Sequence, residues 1–347
     1  MKYAEVTPCH KKGSDTEKEN YRPISILPVV SKIYERALYD QLENFFENKF
    51  SMYLCGFRKG YSTQYALSHL IYNWQKCLDN SGFIGTILTD LSKAYDCLPN
   101  DLLIAKLNAY GLNKESLNLI LDYLKNRKQR VKINNYFSNW LEILLGVPQG
   151  SILGPILFNI FLNDLFLFIE NTYICNFADD NTIYACENTI EEVLYKLKID
   201  VKNIITWFNN NAMVANPDKF QFMVLGKNVN DKISITIENI TLESIKTVKL
   251  LGINIDSKLN FKEHIKTMIK AANNKTNALF RLRKYIDTKT AKLYANAFIL
   301  PTFSYCPLVW MFCNKMLNDR IDKAHRRWLK CVYKTNQENL KDLLTMD

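Results

Sequence analysis

Residues 173–184 read YICNFADDNTIY, and this run decides the fold because two strand-forming arms flank a short polar centre. Alternating β-prone residues on both sides of turn residues predict a β-hairpin. Its predicted tip presents two adjacent carboxylates, Asp179 and Asp180. Asp and Asn also suit turns for conformational reasons alone. Taken by itself, the segment is therefore explained more simply as turn chemistry than as a site.

A further aspartate, Asp90, ends an apolar run that reads GTILTDL over residues 85–91. The simple explanation is a strand end capped by Asp before a helix. If this strand lies beside the hairpin, however, Asp90 joins Asp179 and Asp180 in an all-oxygen cluster, which suits Mg²⁺ rather than zinc. Two such ions, about 3.5–4 Å apart, are the apparatus of in-line phosphoryl transfer.

The composition describes a globular intracellular protein. The 347 residues are 48% hydrophobic and 12% aromatic with only 11 Gly and 9 Pro, which excludes disordered, collagenous and coiled-coil classes and gives a prior of about two domains. The nine cysteines form no CxxC pair and the four histidines are scattered, which argues against a zinc site. An odd, dispersed set of cysteines without a signal peptide predicts a reducing, intracellular environment.

The net charge of +10 is concentrated near the carboxyl end. Residues 258–334 hold 17 basic and 4 acidic side chains, a net +13, whereas residues 1–257 hold 27 basic and 28 acidic ones. A clustered excess of this kind predicts a polyanionic partner.

One stretch without charged residues, 293–314, has the length of a membrane span. Two prolines, Pro301 and Pro307, and several polar residues interrupt it. We therefore predict a buried hairpin of core segments and no membrane association.

Periodicity indicates helices and strands that do not alternate regularly, which favours an α+β fold over a doubly wound sheet. A turn is predicted over residues 146–150, with Ser151 as cap of the helix that follows. Strands are predicted over 129–134 and 140–145, and a small antiparallel sheet over 233–255. The predicted helices cover residues 29–46, 63–78, 101–110, 114–125, 151–168 and 189–209.

Several ordered blocks of the chain together resemble reverse transcriptases of non-LTR (LINE, jockey-like) retrotransposons. The resemblance runs from about residue 8 to residue 332. The blocks are, in chain order, NYRPIS at 20–25, GFRKG at 56–60, DLSKAYD at 90–96, GVPQGSILGP at 146–155, FADD at 177–180 and LLG at 250–252.

The resemblance implies a right-hand polymerase, in which an antiparallel palm sheet is flanked by helices. The fingers would cover residues 1–85, with 112–140 contributing. The palm would cover 86–257, and a basic helical thumb would cover 258–347. It implies an RNA-directed DNA polymerase that transfers nucleotides from dNTPs to a primer 3′-hydroxyl on an RNA template. Asp90, Asp179 and Asp180 then hold two Mg²⁺ ions, with Mn²⁺ as a substitute. The sequence identifies no protein partner.

The resemblance also assigns a nucleotide site. Tyr95 matches the bulky steric gate that packs where a ribose 2′-hydroxyl would project, although a core aromatic is the simple alternative. The expected dNTP-binding residues are Lys11, Arg22, Tyr95, Gln149, Gly150 and Lys219. For Lys11 and Lys219, an exposed and merely solvated lysine is the competing explanation.

In this family the thumb follows the Leu-Gly block and contacts the phosphates of the template–primer duplex, which positions the duplex without reading its sequence. The candidate nucleic-acid-binding residues are Lys262, Lys266, Lys270, Arg281, Arg283, Lys284, Arg326 and Arg327.

Two alternatives remain open at this point. The chain starts only a few residues before the first block, as expected of a truncated reading frame or a fragment. It is then either an active polymerase or a catalytically silent retrotransposon remnant that only binds nucleic acid. A basic scaffold with accidental motifs is the third and least favoured interpretation.

Overall fold

The structure is a computed structural model that describes residues 2–11, 13–91, 95–227, 229 and 232–334, with the backbone alone of Asp90. Its strands are β1 (Tyr3–His10), β2 (Tyr21–Ile26), β3 (Phe83–Asp90), β4 (Arg127–Ile133), β5 (Tyr136–Phe137), β6 (Leu141–Ile143), β7 (Tyr173–Phe177), β8 (Asp180–Glu187), β9 (Gln221–Leu225), β10 (Ser234–Ile237), β11 (Ile240–Glu243), β12 (Thr247–Leu250) and β13 (Ile253–Asp256).

Its helices are α1 (Val29–Phe46), α2 (Thr63–Asp79), α3 (Asn100–Ala109), α4 (Lys114–Leu124), α5 (Leu153–Leu162), α6 (Ile190–Asn210), α7 (Lys262–Leu282), α8 (Thr288–Tyr294), α9 (Leu300–Ser304), α10 (Pro307–Trp310) and α11 (Lys315–Tyr333). Short 3₁₀ turns cover Lys18–Asn20, Asn163–Phe168 and Pro217–Lys219, and a π-helical turn covers Ala295–Ile299. This mixture confirms the α+β class.

The strands form two larger sheets and two hairpins. One sheet has the order β2-β1-β4-β5, with β6 also paired to β4, and the other has the order β7-β8-β3-β9. The pairs β10–β11 and β12–β13 are separate antiparallel sheets. The single small sheet predicted over residues 233–255 is therefore wrong: each hairpin pairs its own two arms.

The helix boundaries follow the predicted periods closely, with one exception. Helix α1 covers the predicted residues, and Thr189 caps α6 by accepting a hydrogen bond from the backbone N–H of Glu192. The helix predicted to reach residue 168 instead ends at Leu162. Its successor Asn163 is buried and binds a distant loop, accepting from the N–H of Ser51 and donating to the carbonyl of Lys49.

The chain divides into two compact units. The first comprises Met1–Tyr61, Gly85–Phe222 and Ser234–Glu243, and the second comprises Ser62–Ile84, Met223–Ile233 and Ser244–Asp347. In the first, α5 and α6 supply fully buried aromatic side chains such as Phe158 and Trp207. In the second, α7 packs against α11. The three-part division into fingers, palm and thumb stays a prediction.

The uncharged stretch over residues 293–314 is helical. It covers the end of α8, the π-helical turn, α9 and α10, rather than the predicted buried hairpin. Leu293 and Phe312 are 70% and 82% exposed, respectively, so much of its apolar surface lies outside the core. Within the described part of the chain, no helix is long and apolar enough to cross a membrane.

Candidate active site

The predicted hairpin is formed by β7 and β8, which pair antiparallel with Phe177 opposite Asp180. Its two-residue turn consists of Ala178, which has a left-handed backbone (φ 58°), and Asp179. Asp179 is half-buried and Asp180 is exposed. The hairpin prediction is therefore confirmed, and both carboxylates lie at its tip.

A buried asparagine supports this tip from inside. The side-chain N–H₂ of Asn176 donates to the carbonyl of Ala178 at 2.8 Å and to the side-chain oxygen of Asn181 at 2.9 Å. Both asparagine side chains are almost completely buried. Buried hydrogen bonds of this kind hold the turn in one geometry because breaking them leaves buried polar groups without a partner. The sequence reveals the hairpin but gives no signal that these asparagines hold its turn.

The loop that carries the GFRKG block packs directly against the hairpin. The N–H of Cys55 donates to the carbonyl of Asn176 at 2.9 Å, and the N–H of Asn176 donates to the carbonyl of Tyr53 at 3.0 Å. A Cβ atom at Gly56 would lie 2.3 Å from the backbone nitrogen of Ala178. Glycine is therefore required here because two backbones approach more closely than any side chain allows.

Side chains of α5 and of the loop itself also hold this loop in place. Asn159 of α5 donates to the carbonyl of Gly56 at 2.7 Å, and the guanidinium of Arg58 donates to the carbonyls of Ser51 and Leu54 at 2.7 and 3.0 Å. The loop is thus anchored to the core of the unit that contains the hairpin.

Strand β3 brings the backbone of Asp90 into the hairpin's sheet. The hydroxyl of Thr86 donates to the carbonyl of Ile183 at 3.2 Å, which ties β3 to β8. The side chain of Asp90 and residues 92–94 lie outside the described residues. In the described part, no group of three or more His, Cys, Asp or Glu side chains could hold a metal ion. The three-carboxylate cluster therefore stays a prediction.

Tyr95 lies close to the hairpin tip. Its ring packs against Phe158 at 4.5 Å and against Phe57 at 6.2 Å between centroids. Its hydroxyl is buried and has no hydrogen-bond partner among the described residues. Burial and the nearby Asp179 carboxylate, in that order, raise the pKa of Tyr95 far above its usual range. Tyr95 is thus a neutral aromatic wall beside Asp179.

The turn predicted over residues 146–150 is tied to the segment that contains Tyr95. The N–H of Gly146 donates to the carbonyl of Leu98 at 2.7 Å, and the N–H of Val147 donates to the carbonyl of Tyr95 at 2.9 Å. A Cβ atom at Gly146 would lie 2.5 Å from the Tyr95 carbonyl oxygen. These contacts hold the two segments side by side.

Gln149 and Gly150 form the end of this turn. The side-chain N–H₂ of Gln149 donates to the Asp96 carboxylate, at 2.9 and 3.1 Å from its two oxygens. The carbonyl of Gln149 accepts from the N–H of Ser25 on β2 at 2.7 Å. Gly150 has φ 112°, and a Cβ atom there would lie 2.8 Å from the Ser25 carbonyl oxygen. Gln149 and Gly150 were predicted from the family resemblance, whereas Asp96 was not.

A buried carboxylate fixes the start of α5, immediately after this turn. Glu35 of α1 is fully buried and accepts from the N–H of Ile152 at 2.6 Å and from the hydroxyl of Ser31 at 3.2 Å. Ser151 accepts from the N–H of Gly154 at 2.8 Å, which is the predicted capping role. Glu35 was not predicted, because nothing in the sequence pairs residue 35 with residue 152.

The predicted phosphate-binding side chains occupy two places. Arg22 lies opposite Cys9 in the β1–β2 pair, and Lys11 follows two residues after Cys9. Arg22 thus lies within the β1–β2 pair, whereas Lys11 lies just beyond the end of β1. Both are exposed. Lys219 is also exposed, on the 3₁₀ turn that precedes β9.

Most of the predicted nucleic-acid-binding residues are exposed on α7 and α11, or just after α7. Along one stripe of α7 lie Lys262, Lys266, Lys270 and Arg281, with successive spacings of four, four and eleven residues. Arg327 of α11 joins this stripe by donating to the side chains of Asn273 and Asn277 at 2.9 and 2.7 Å. The exposed residues are Lys262, Lys266, Lys270, Arg281, Lys284, Arg326 and Arg327.

Arg283 differs from the other candidates because it is only 6% exposed. Its guanidinium donates to the carbonyls of Cys331 and Val332 at the end of α11, to the carbonyl of Ile286 and to the hydroxyl of Thr288. These bonds satisfy the carbonyls that a helix end leaves without partners. Arg283 therefore joins two helices, and its prediction as a nucleic-acid-binding residue is wrong because its guanidinium is buried on these partners.

Comparisons with known proteins show the family of the chain. The family described as reverse transcriptase (RNA-dependent DNA polymerase) matches residues 9–255. A probable RNA-directed DNA polymerase from transposon BS of Drosophila melanogaster is 27% identical over 95% of this chain and 38% of its own length. The RNA-directed DNA polymerase from mobile element jockey of the same organism is 26% identical, over 79% of this chain and 31% of its own length.

Two solved structures resemble the fold. Telomerase from Candida tropicalis in complex with a fragment of telomeric RNA aligns with a TM-score of 0.54, 12% identity, and coverage of 99% of this chain and 60% of that one. An apo telomerase from the same organism, truncated from its C-terminal domain, gives a TM-score of 0.52, 13% identity, and coverage of 74% and 53%. The chain thus spans about a third of the curated relatives' length, and the structural likeness concerns the fold alone.

Proposed function

Because the chain belongs to the reverse transcriptase (RNA-dependent DNA polymerase) family, we propose that it acts as the polymerase part of a non-LTR retrotransposon protein. It would extend the 3′-hydroxyl of a DNA primer with dNTPs on an RNA template. The observation that carries this proposal is the hairpin tip with Asp179 and Asp180 beside β3, with Tyr95 close to Asp179. A right-hand arrangement of fingers, palm and thumb is part of the proposal.

The donor chemistry at the tip fits divalent cations that prefer oxygen. Asp179 and Asp180 offer partly exposed or exposed carboxylates, and β3 ends at a third aspartate, Asp90. These three residues would hold two Mg²⁺ ions, or Mn²⁺ as a substitute. When bound, the ions would lower the pKa of the primer hydroxyl and neutralise charge on the leaving pyrophosphate.

The chain's own residues would then bind and orient the nucleotide. Arg22 and Lys11 would bind the triphosphate, since a guanidinium fork and an ammonium both suit phosphate oxygens. Lys219 would assist the leaving group from the turn before β9. Gln149 would contact the nucleotide, and Gly150 would allow close backbone approach.

Primer extension tests the proposed function directly. The purified chain is incubated with poly(rA)/oligo(dT), dTTP and Mg²⁺, and product length is measured together with binding of the duplex. Extended product supports the polymerase. A chain that shifts the duplex but makes no product would instead be the silent binding remnant.

Tyr95→Ala is expected to raise ribonucleotide incorporation on the same template by about tenfold or more, since one lost steric exclusion in a pocket changes discrimination by about 1–3 kcal/mol. The rigid ring, held between Phe57 and Phe158, would otherwise exclude the 2′-hydroxyl. The measurement is the ratio of kcat/KM for dTTP and for the matching ribonucleotide. Tyr95→Phe serves as control because it keeps the ring, and unchanged discrimination in Tyr95→Ala would remove Tyr95 as the gate.

The stripe on α7 is expected to bind duplex phosphates. Lys266→Ala combined with Lys270→Ala is expected to flatten the salt dependence of duplex binding by about 0.9 per lost contact, or about 2 in total. Replacement of two exposed lysines of the other unit, Lys114 and Lys198, provides the matched control. Equal slopes for both double variants would place the duplex elsewhere.

A further inference from the structure

We propose that Asp96 is a positioning residue that sets the orientation of the Gln149 side-chain amide and thereby the affinity for the incoming nucleotide. This inference rests on the proposed function and deepens it. Both oxygens of the Asp96 carboxylate lie within hydrogen-bond distance of the same Gln149 nitrogen, at 2.9 and 3.1 Å.

The chemistry of the pair makes the orientation unique. An ionised carboxylate only accepts hydrogen bonds, whereas an amide has a donating and an accepting end. Asp96 can therefore contact only the N–H₂ end of Gln149. The amide oxygen is directed away from Asp96, so that Gln149 presents an acceptor on its other side. Without such a partner, the two ends of an amide are nearly equal in shape, and either end can face a given neighbour.

Hydrogen bonds of the backbone hold the segments on either side of the pair. The carbonyl of Gln149 accepts from the N–H of Ser25, and the N–H of Val147 donates to the carbonyl of Tyr95. Gly146 lies so close to the Asp96 carbonyl that a Cβ atom would be 2.6 Å from it. Backbone hydrogen bonds therefore hold the segment that contains Tyr95 beside the turn that contains Gln149, and Asp96 adds a side-chain hydrogen bond between them.

The test is a double-mutant cycle in primer extension, with KM for dTTP and kcat measured separately. Asp96→Asn keeps the shape but supplies both a donor and an acceptor, so that either end of the Gln149 amide can bind it. We expect KM to rise about tenfold with kcat changed by less than about threefold. In the Gln149→Ala background, Asp96→Asn is expected to have no further effect on KM, because its action passes through the amide. Asp101→Asn, an exposed aspartate on α3, is the matched control.

A merely structural role would behave differently. If Asp96→Asn acted by loosening the packing of the loop, it would raise KM by the same factor in the unmodified chain and in Gln149→Ala. Either that result or an unchanged KM in Asp96→Asn would overturn the inference. An inactive unmodified chain would overturn the proposed function and the inference together, whereas an active one with additive effects would overturn the inference alone. If Asp96→Asn does not fold, the same cycle is run with Asp96→Ser, which retains a smaller acceptor.

Discussion

Asp179→Asn is expected to lower kcat for primer extension by on the order of 10³-fold or more, equivalent to about 4 kcal/mol of transition-state stabilisation. The substitution keeps the size of the side chain but replaces one carboxylate oxygen with an N–H₂ group, which does not ligate Mg²⁺ and carries no charge. Asp179 occupies the hairpin turn, and the turn is held by Asn176 through contacts that do not involve the Asp179 side chain. The hairpin should therefore remain formed in the variant.

The comparison is made by single-nucleotide addition under saturating dTTP, with binding of the template–primer duplex measured in parallel. Duplex binding is expected to stay within about twofold of the unmodified chain. Asp122→Asn is the control, since Asp122 is an exposed aspartate that pairs with Lys2. If Asp179→Asn kept more than a tenth of the activity of the unmodified chain, Asp179 would not hold a catalytic ion.

Gly56→Ala is expected to reduce polymerisation by about 10²-fold, because a 1 Å displacement of reacting groups can cost this much. The added methyl group would meet the backbone nitrogen of Ala178 at 2.3 Å, and backbone cannot rotate away as a flexible side chain can. Either the loop or the hairpin turn must move, and the turn carries Asp179. Steady-state kinetics and urea unfolding of the same preparations measure the effect on activity and on stability.

The matched control lies four residues later in the same loop. Gly60 has φ 83°, and a Cβ atom there would meet nothing within 4 Å. Gly60→Ala should therefore cost only the strain of a left-handed backbone, roughly 1–2 kcal/mol, with little change in kcat. If Gly60→Ala lowered activity as strongly as Gly56→Ala, crowding against Ala178 would not be the cause.

Local patterns predicted the elements of this molecule well, because they depend on neighbouring residues. The apolar period gave α1, and two β-prone arms around a polar centre gave the β7–β8 hairpin. Asp179 was a candidate from the hairpin pattern itself, whereas Tyr95, Gln149 and Gly150 came from the family resemblance. The structure places Tyr95 near Asp179 and beside the turn of Gln149.

What the sequence could not give are pairings between distant residues. Asn176 contacts the hairpin turn, Asp96 contacts Gln149, and Glu35 contacts Ile152. The sequence alone does not distinguish a polar side chain with such a partner from one that is exposed to water. Arg283 illustrates the converse error. In the sequence it resembles the other basic residues of its stretch, which are exposed, yet its guanidinium donates to the carbonyls at the end of α11. The premature end of α5 has the same origin, since Asn163 binds a loop more than a hundred residues away.

The contact between Leu54 and Asn176 has a consequence for the solubility of the protein. Strand β7 lies at the edge of its sheet, and an edge strand offers unpaired N–H and carbonyl groups to any other extended chain. The loop through Leu54 occupies those groups at Asn176 with a short parallel bridge. The glycine that lets this loop approach the hairpin therefore also lets the loop cover part of the β7 edge. Displacing the loop would expose an edge that promotes self-association as protein concentration rises.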